Sequence, residues 1–380
     1  MATPFRLIDK GIFEYAEKFW KLDATDFTIL KAMSIYGPRN VSLIAARLSI
    51  PRTVVDYRVK RMFEEDLVKV FAIINEEALG LESVLVYAKT PFGKEDKALK
   101  ALTVHPLWRF SCLVEGALHG VIVRYAIPKG SIGELNAYLS YLKLEKLIED
   151  YELHRAEQYY APFPNLDFYL KETGAFKWSE WADRIIAEKE AVSLEKKPVK
   201  EIEFSWLDLY ILSRLSIDAR IKFTDIARKL VELKGGSLNS WKVKISQTYN
   251  KTTSRLIRGY SFYILPVAEQ TSIRLLIEIH FNDKPSLAKF VNHLKEIPYP
   301  LALHPYKQES KSLLHIIIPT YELTSIIEAL KKLAYQNLVK SYRVFLVNKD
   351  KVWSNVTIHQ AYNKEWKFSH KILLEKLGKL

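Results

Sequence analysis

One pattern occurs twice in this chain of 380 residues: a short amphipathic stretch, a tight turn, a second amphipathic stretch and a β-branched apolar run. In the first occurrence VSLIAARL is followed by Pro51, by RTVVDYRVKRMFE and by LVKVFAIIN, over residues 41–75. A looser second occurrence begins with IKFTDIARKL at residue 221 and ends with YSFYILPV at residue 267. Self-similarity at a long spacing indicates repeated structural units, so we expect the chain to contain two copies of one domain set.

The first occurrence, with the helix expected before it, predicts a winged helix-turn-helix domain. In KLDATDFTILKAMSIY, residues 21–36, apolar residues recur at helical spacing, and Asp23 or Thr25 can cap the start. After a second helix over 42–48, Pro51 suits the first position of a third helix that runs to about Glu64. The β-branched run that follows indicates a wing strand. In this arrangement the third helix enters the major groove of DNA, with its N-terminal residues nearest the base edges.

The segment after each wing strand predicts a ferredoxin-like domain. Residues 83–163 alternate strand-like and helical patterns in the order β-α-β-β-α-β, and the same order returns over residues 272–348. We therefore predict an α+β fold with two winged helix-turn-helix domains alternating with two ferredoxin-like (βαββαβ) domains. The predicted units are an N-terminal extension (1–20), winged helix-turn-helix 1 (21–75), ferredoxin-like domain 1 (76–165), a connector helix (166–203), winged helix-turn-helix 2 (204–268), ferredoxin-like domain 2 (269–350) and a basic tail (351–380). In the connector, Trp178 and Trp181 are expected to pack its helix onto a domain rather than to stack on nucleobases.

The excess positive charge lies mainly in the two helix-turn-helix segments. The chain has a formal net charge of +13. Residues 37–70 carry seven Lys or Arg and four acids, and residues 217–260 carry ten Lys or Arg and three acids. Because cations that bind phosphate release its condensed counterions, this placement favours nucleic acid as the partner, with duplex DNA as the leading choice.

Residues 22–81 resemble the N-terminal half of the leucine-responsive regulator (Lrp/AsnC) family of transcriptional regulators. The matching features are Leu22-Asp23, Asp26, Ile29-Leu30, Ile44-Ala45, Leu48, Val55, Arg58-Val59, Lys60-Arg61-Met62 and Leu79-Gly80-Leu81. Pro51 stands where the family usually has a capping serine, and Asp66 where it usually has a glycine. The resemblance, as a tandem duplication within one chain, implies a DNA-binding transcriptional regulator whose ferredoxin-like domains dimerise and sense small molecules. The turn at residues 115–120 lacks the aspartate that family members usually carry there, so the sequence leaves a small-molecule effector open.

Candidate DNA-binding residues follow from the two third helices, the second of which is expected over about 240–257. In the third helix of the first module, the residues near its start would read bases: Arg52, Thr53, Asp56 and Tyr57. Those further along would hold phosphates or form internal salt bridges: Arg58, Lys60 and Arg61. In the second module the candidates are Lys242, Lys244, Ser246, Gln247, Asn250 and Lys251, with Arg255 and Arg258 for phosphates. Gln and Asn suit adenine, and Arg suits guanine. For Arg58 a structural role and a DNA contact are both open.

The two modules would act as a built-in pseudo-dimer on an asymmetric site, because their third helices differ in sequence. Successive major grooves are about 34 Å apart, which sets the expected spacing of the two helices. A homodimer through the ferredoxin-like domains stays open as well.

Several other classes are disfavoured by the composition. A single cysteine, Cys112, excludes an internal disulfide and a cysteine-based zinc site, and no apolar run is long enough to span a bilayer. We expect a cytoplasmic protein without cofactor, metal or membrane, and the scarcity of Gln and Cys beside abundant Lys, Ile and Tyr favours a thermophilic source. No phosphate loop, nucleophile elbow or paired-carboxylate signature is present, so no catalytic residue is predicted.

The alternatives are an enzyme with this architecture, of the tetrapyrrole decarboxylase type, and a protein-binding component of the transcription machinery. The enzyme would need clustered His and Arg, whereas the histidines look scattered in the sequence.

Overall fold

The computed structural model describes residues 21–157, 159–171, 174–189, 199–264 and 271–378. The predicted N-terminal extension, 1–20, lies outside the described residues. The helices are α1 (Ala24–Tyr36), α2 (Val41–Leu48), α3 (Arg52–Glu64), α4 (Glu95–Leu102), α5 (Ile132–Leu144), α6 (Asp167–Lys171), α7 (Trp178–Ala187), α8 (Trp206–Leu215), α9 (Phe223–Lys234), α10 (Leu238–Lys251), α11 (Lys284–His293), α12 (Leu323–Tyr335) and α13 (His370–Leu377). The strands are β1 (Lys69–Ile74), β2 (Leu81–Lys89), β3 (Trp108–Gly116), β4 (Gly120–Pro128), β5 (Asp150–Ala156), β6 (Ile257–Tyr263), β7 (Ser272–Phe281), β8 (Leu301–Pro305), β9 (Lys311–Pro319), β10 (Val339–Ser354), β11 (Tyr362–Asn363) and β12 (Glu365–Trp366).

The helix-turn-helix units are α1–α3 and α8–α10, and each begins with the same device. Asp23 and Asp26 form a capping box at the start of α1, as Ser205 and Asp208 do at the start of α8. The spacing of apolar residues in the third helix predicts an inner stripe of Val55, Val59 and Met62, and this prediction is confirmed, since all three are fully buried. Pro51 stands at the N-cap of α3, one residue before the predicted position, and supplies no side-chain cap.

The third helix of the second helix-turn-helix unit, α10, is shorter than predicted. α10 spans Leu238–Lys251 rather than 240–257, and a 3-10 turn over Thr253–Leu256 then leads into β6. Thr248 and Thr253 close this end of the helix through their backbone and hydroxyl groups. The sequence TTSRLI, residues 252–257, which extended the predicted helix, therefore forms a turn and the start of a strand.

The two predicted wing strands pair with each other. β1 and β6 form an antiparallel ribbon in which Phe71 faces Ser261 and Ala72 faces Tyr260. The predicted wing strands are therefore present, but each finds its partner in the other half of the chain rather than in a hairpin within its own module. The ribbon satisfies the backbone groups of both strands and joins the two helix-turn-helix units around one hydrophobic core.

Both ferredoxin-like domains have the same strand order and share one antiparallel sheet. The order β5-β2-β4-β3-β10-β7-β9-β8 contains the domain-1 strands in its first half and the domain-2 strands in its second half. β3 of domain 1 pairs with β10 of domain 2, for example Glu115 with Leu346. The outer strands also meet, through bridges of Ala156 with Tyr306 and Tyr160 with Leu303, so the sheet closes on itself.

Alternation along the strands places one set of side chains inside this closed sheet and the other under helices. The interior is apolar at mid-height, where Leu85, Cys112, Ile122, Leu276 and Leu313 pack together. The opposite faces are covered by α4 and α5 in domain 1 and by α11 and α12 in domain 2.

The connector and the tail each cover the other half of the molecule. α7 packs on domain 2, where Trp178 and Trp181 are buried in its core, which confirms the predicted packing role of the two tryptophans. The indole of Trp178 donates to Glu322 at 2.6 Å. α13, near the end of the tail, packs on domain 1 through Leu373. The predicted single connector helix is instead two helices, α6 and α7, and residues 190–198 lie outside the described part of the chain.

Candidate nucleic-acid interface and interior cavity

The outward face of α3 is accessible, as a groove-reading helix requires. Arg52 and Thr53 are exposed in its first turn, and Tyr57 is exposed one turn further on. Lys60 retains 71% of its side-chain exposure. The structure therefore places these four predicted residues on one solvent-facing surface.

Two of the predicted cations of α3 turn inward instead. Arg58 donates to Asp23 at 2.8 and 2.7 Å and to Asp26 at 3.0 Å, and Arg61 also pairs with Asp26. Asp26 has no exposed surface, so its charge depends on these partners. The pKa of Arg58 is raised by its hydrogen bonds to Asp23 and Asp26. Of the two roles open to Arg58, the geometry is that of the structural one.

The remaining charges on α3 balance. Arg52 lies 3.4 Å from Asp56, and Lys60 lies 3.9 Å from Glu64, each one helical turn apart. The positive charge counted in the first module is therefore not a positive surface on its third helix. This helix offers hydrogen-bonding and aromatic side chains rather than an excess of cations.

The outward face of α10 is basic. Lys242, Lys244 and Lys251 are exposed, and the helix contains no carboxylate. Gln247 and Asn250 are exposed beside them, and Ser246 is half-buried. Only Ile245 is buried, because α10 contacts its core along one narrow stripe. Of the two third helices, α10 has the stronger field for phosphate.

Several basic residues around α10 already have partners. Arg228 pairs with Asp225 at 2.6 Å, and Lys229 with Glu232 at 2.9 Å, both on α9. Arg255 is exposed in the 3-10 turn. Arg258 lies on β6 and donates to the carbonyl of Tyr159 at 3.4 Å, so neither of these two arginines belongs to the helix itself.

Arg39 and Arg220 join the two modules to each other. Arg39 donates to the carbonyls of Ala219 and Ile221 at 2.9 and 3.0 Å, and its guanidinium lies 4.4 Å from the centre of the Phe223 ring. Arg220 reciprocates with a hydrogen bond to the Pro38 carbonyl. Burial lowers the pKa of both arginines. Both were counted as surface charge in the sequence, and both are interface residues.

A cavity of about 260 Å³ lies at one end of the closed sheet, under the β1–β6 ribbon. Its lining includes Phe71 of β1 and Phe262 of β6 from the ribbon. The sheet contributes polar residues from both ferredoxin-like domains: Arg109, Arg124, Arg274, His304 and His315. As strand residues these are where the sequence suggested, but their convergence from five strands was not predictable from spacing.

The cavity contains more positive than negative charge. Glu76 accepts two hydrogen bonds from Arg124, at 2.8 and 3.0 Å, and lies 3.6 Å from Arg109 Nε. Within the described chain, Arg109 Nη1 is buried without a hydrogen-bond partner, and no ion pair involves Arg274. Burial lowers the pKa of Arg109 to about 10, although Glu76 opposes this.

The two cavity histidines are neutral at physiological pH. Burial, with repulsion from Arg274, lowers the pKa of His315 to about 3. Burial also lowers the pKa of His304 well below its ordinary value. His304 Nδ1 and His315 Nε2 are buried with no hydrogen-bond partner among the described residues. Each ring can therefore donate or accept one further hydrogen bond.

A second polar cluster fills the opposite end of the sheet. The oxygens of Glu152 and Glu278 lie near His154, an arrangement that could hold a metal ion. Arg343 already bonds both carboxylates, at 2.7 and 2.8 Å to Glu152 and at 3.0 Å to Glu278. A cation would have to displace this guanidinium, so the cluster is better described as a structural ion-pair network.

The fold defines the class of protein: an α+β chain with two winged helix-turn-helix and two ferredoxin-like domains. No established protein-family profile matches the sequence. Over 52 residues the chain is 38% identical to uncharacterized HTH-type transcriptional regulators of Pyrococcus furiosus and of Pyrococcus abyssi, which covers 14% of this chain and 35% of each relative. The match thus spans about a third of the length of these curated relatives.

Solved structures extend the likeness in fold. The siroheme decarboxylase NirDL aligns over 93% of this chain and 98% of its own, with a TM-score of 0.52 and 12% identity. An AsnC family transcriptional regulator from Agrobacterium tumefaciens aligns over 39% of this chain and 99% of its own, with a TM-score of 0.32 and 17% identity. At 12% identity, the match to NirDL shows a likeness of fold alone. Among the described residues, every helix is too short or too polar to traverse a lipid bilayer.

Proposed function

We propose that this chain is a sequence-specific, double-stranded DNA-binding transcriptional regulator and not an enzyme. The observation that carries the proposal is the exposed, carboxylate-free face of α10 with Lys242, Lys244 and Lys251. On a helix-turn-helix unit, this is the face that meets the phosphate backbone and the major groove.

The two modules would have unequal tasks. α10 supplies phosphate affinity together with amide side chains, Gln247 and Asn250, which suit adenine. α3 supplies Arg52, Thr53 and Tyr57 on a balanced surface, which favours base contacts over phosphate affinity. The preferred site is then asymmetric, with two unlike half-sites in successive major grooves.

We infer further that the chain is a tandem duplication that acts as its own dimer. The reciprocal arginines Arg39 and Arg220 and the β1–β6 ribbon support this, because each joins equivalent positions of the two halves. In the shared sheet the second strand of domain 1, β3, pairs with the fourth strand of domain 2, β10, so these sheet edges are already joined within one chain. A single chain, rather than a homodimer, is the proposed DNA-binding unit.

A titration of random duplex DNA at two salt concentrations tests the proposal. Binding should weaken steeply as salt rises, because each phosphate contact releases counterions. Absence of binding at low salt would refute a DNA-binding role. A protein-binding component of the transcription machinery would give this result.

An enzyme acting in the interior cavity is the second candidate. It is favoured by the convergence of Arg109, Arg124 and Arg274 with two unpartnered neutral histidines, the clustering that such an enzyme would need. The fold match to a siroheme decarboxylase is compatible with this candidate but does not argue for the chemistry, because a fold hosts many functions. Turnover of a tetrapyrrole carboxylate by the purified chain, without DNA binding, would favour this candidate over the regulator.

A further inference from the structure

The interior cavity connects the two parts of the molecule that the proposed function needs to coordinate. Its floor and walls are strands of both ferredoxin-like domains, and its roof is the β1–β6 ribbon. β1 follows α3 after a four-residue turn, and β6 directly follows the 3-10 turn at the end of α10. A molecule in this cavity would therefore touch the strands that continue from both third helices.

The charges of the cavity call for an anion. Three guanidinium groups face one carboxylate, and Arg124 already neutralises Glu76 with two hydrogen bonds. Arg109 and Arg274 are left in excess; the Arg109 side chain is only 9% exposed, and Arg274 is half-buried. Two uncompensated charges of the same sign are costly in such surroundings, unless a ligand supplies the opposite charge.

Unpartnered polar atoms point to a ligand independently of the charge. Arg109 Nη1, His304 Nδ1 and His315 Nε2 are all buried without a hydrogen-bond partner in the described chain. Buried polar groups in folded proteins are nearly always satisfied, so three exceptions lining one cavity require an explanation. The oxygens of an anion would accept from the arginine and from each histidine in the tautomer that carries its proton on the unpartnered nitrogen.

The size of the cavity limits the occupant. A volume of about 260 Å³ is close to the lower end of small-molecule sites, which span roughly 300–1,000 Å³. Phe71, Phe110 and Phe262 give it an apolar side as well as a charged one. A short organic acid fits these limits better than a bare inorganic ion.

We propose that this cavity binds a small organic dianion of the dicarboxylate class, and that the bound anion changes the affinity of the chain for DNA. The second half of the proposal rests on the proposed function; the first half does not. The two excess arginines pair with the two charges of the ligand, and the histidines fix its orientation. By filling the space under the ribbon, the ligand alters the packing of β1 and β6 and with it the relative placement of α3 and α10.

This site is separate from the one that the sequence resemblance implied. The turn at residues 115–120 joins the end of β3 to the start of β4, whereas Arg109 lies at the other end of β3 and Arg124 in the middle of β4. There His119 is bonded to Glu115 at 2.8 Å and to Glu95 at 3.0 Å, which leaves that turn without an excess positive charge. The candidate effector site is therefore inside the closed sheet and not at its turn.

Calorimetry on the full chain without DNA tests the site itself. Succinate and citrate are the probes, succinamide is the neutral analogue of succinate, and inorganic phosphate distinguishes an organic anion from a simple one. We expect a dicarboxylate to bind and succinamide not to bind. The Arg274→Gln variant should weaken binding about tenfold or more, because it removes a charged hydrogen-bond donor. Lys340→Gln, an exposed lysine on β10, removes the same charge and should leave the affinity unchanged.

A second variant and a second readout keep the outcomes separate. Arg109→Gln should also weaken binding, while the melting temperature without ligand stays level or rises, since a guanidinium whose Nη1 is buried without a hydrogen-bond partner is removed. Anisotropy of a labelled duplex, with and without succinate, then measures the effect of succinate on DNA affinity. Arg274→Gln should abolish this effect. Equal binding of succinamide and succinate, or no binding of any anion, would overturn the site. Anion binding with unchanged DNA affinity would overturn the effector role, whereas failure to bind DNA in every condition would count against the proposed function alone.

Discussion

Replacing the three exposed lysines of α10, Lys242, Lys244 and Lys251, by glutamine should remove most of the DNA affinity of the second module. No carboxylate in this helix neutralises them, and the Lys244 ammonium lies 5.1 Å from the centre of the Trp241 ring; we expect all three to reach phosphate. Each phosphate contact on duplex DNA contributes about 0.9 to the slope of log K against log salt concentration. Three contacts lower that slope by roughly 2.7, which at about 0.15 M salt is a loss of roughly 100-fold in affinity, or about 3 kcal/mol.

Fluorescence anisotropy of a labelled duplex at four salt concentrations measures both quantities. The matched control replaces Lys340, Lys349 and Lys371, which are exposed on other surfaces, and lowers the net charge equally. The control should keep the wild-type slope to within the effect of a general charge change. If both triple variants lose the same affinity, the attraction depends on net charge alone, and α10 has no special part in it.

Three further predictions concern the structure that supports the interface. Arg58→Ala should lower the free energy of unfolding by about 2 kcal/mol, because the buried Asp26 loses one of two arginine partners; a denaturant titration that shows no loss would contradict the inward role. Burial alone would raise the pKa of Glu278, but hydrogen bonds, chiefly from Arg343, lower it to about 2, so this group contributes stability above pH 4.5 that is lost as pH falls towards 2. Glu278→Gln should remove about 2 kcal/mol of that acid dependence, measured as the difference in unfolding free energy between pH 7 and pH 3, and an unchanged difference would show that the network does not perturb this carboxylate. Light scattering should give the mass of one chain, 44.2 kDa, and a dimer mass would contradict the single-chain unit.

The sequence predicted local structure well where one segment determines it. A cap at Asp23, one of the two candidates, the inner stripe of α3 and the order of strands and helices along both ferredoxin-like domains follow from spacing and turn chemistry within a few residues of each other. Asp66, which stands where the resemblance expects a glycine, adopts a φ of 55°, the left-handed conformation that ends α3. These features are decided by neighbouring residues, so the pattern alone is sufficient.

Features decided by distant residues escaped prediction. β1 needs an antiparallel partner, but nothing in its sequence indicates that β6 provides it from the other half of the chain. Likewise, a count of basic residues cannot separate Arg58, which turns to Asp26, from Lys60, which faces solvent. The cavity depends on five strands whose inward positions are set by the closed sheet, so its arginines and histidines look unrelated in sequence.

The charge count illustrates the same limit in numerical terms. Ten of the thirteen excess positive charges lie in the two helix-turn-helix segments. Of the two candidate recognition helices, α3 and α10, only α10 exposes lysines without acidic residues on the same helix. Arg39 and Arg220 join the modules, and the cations of α3 are balanced by acids one turn away. A count of charged residues therefore overstates the positive charge that a ligand could meet on α3.

Hydroxyl-radical footprinting on a duplex selected from random DNA tests the central claim most directly. A chain with two unlike recognition helices should protect two patches of different sequence, about one helical turn or 34 Å apart. The Lys242, Lys244 and Lys251 triple variant should lose one of the patches first. Equal protection of a perfect palindrome, or a selection that enriches no sequence, would contradict this account.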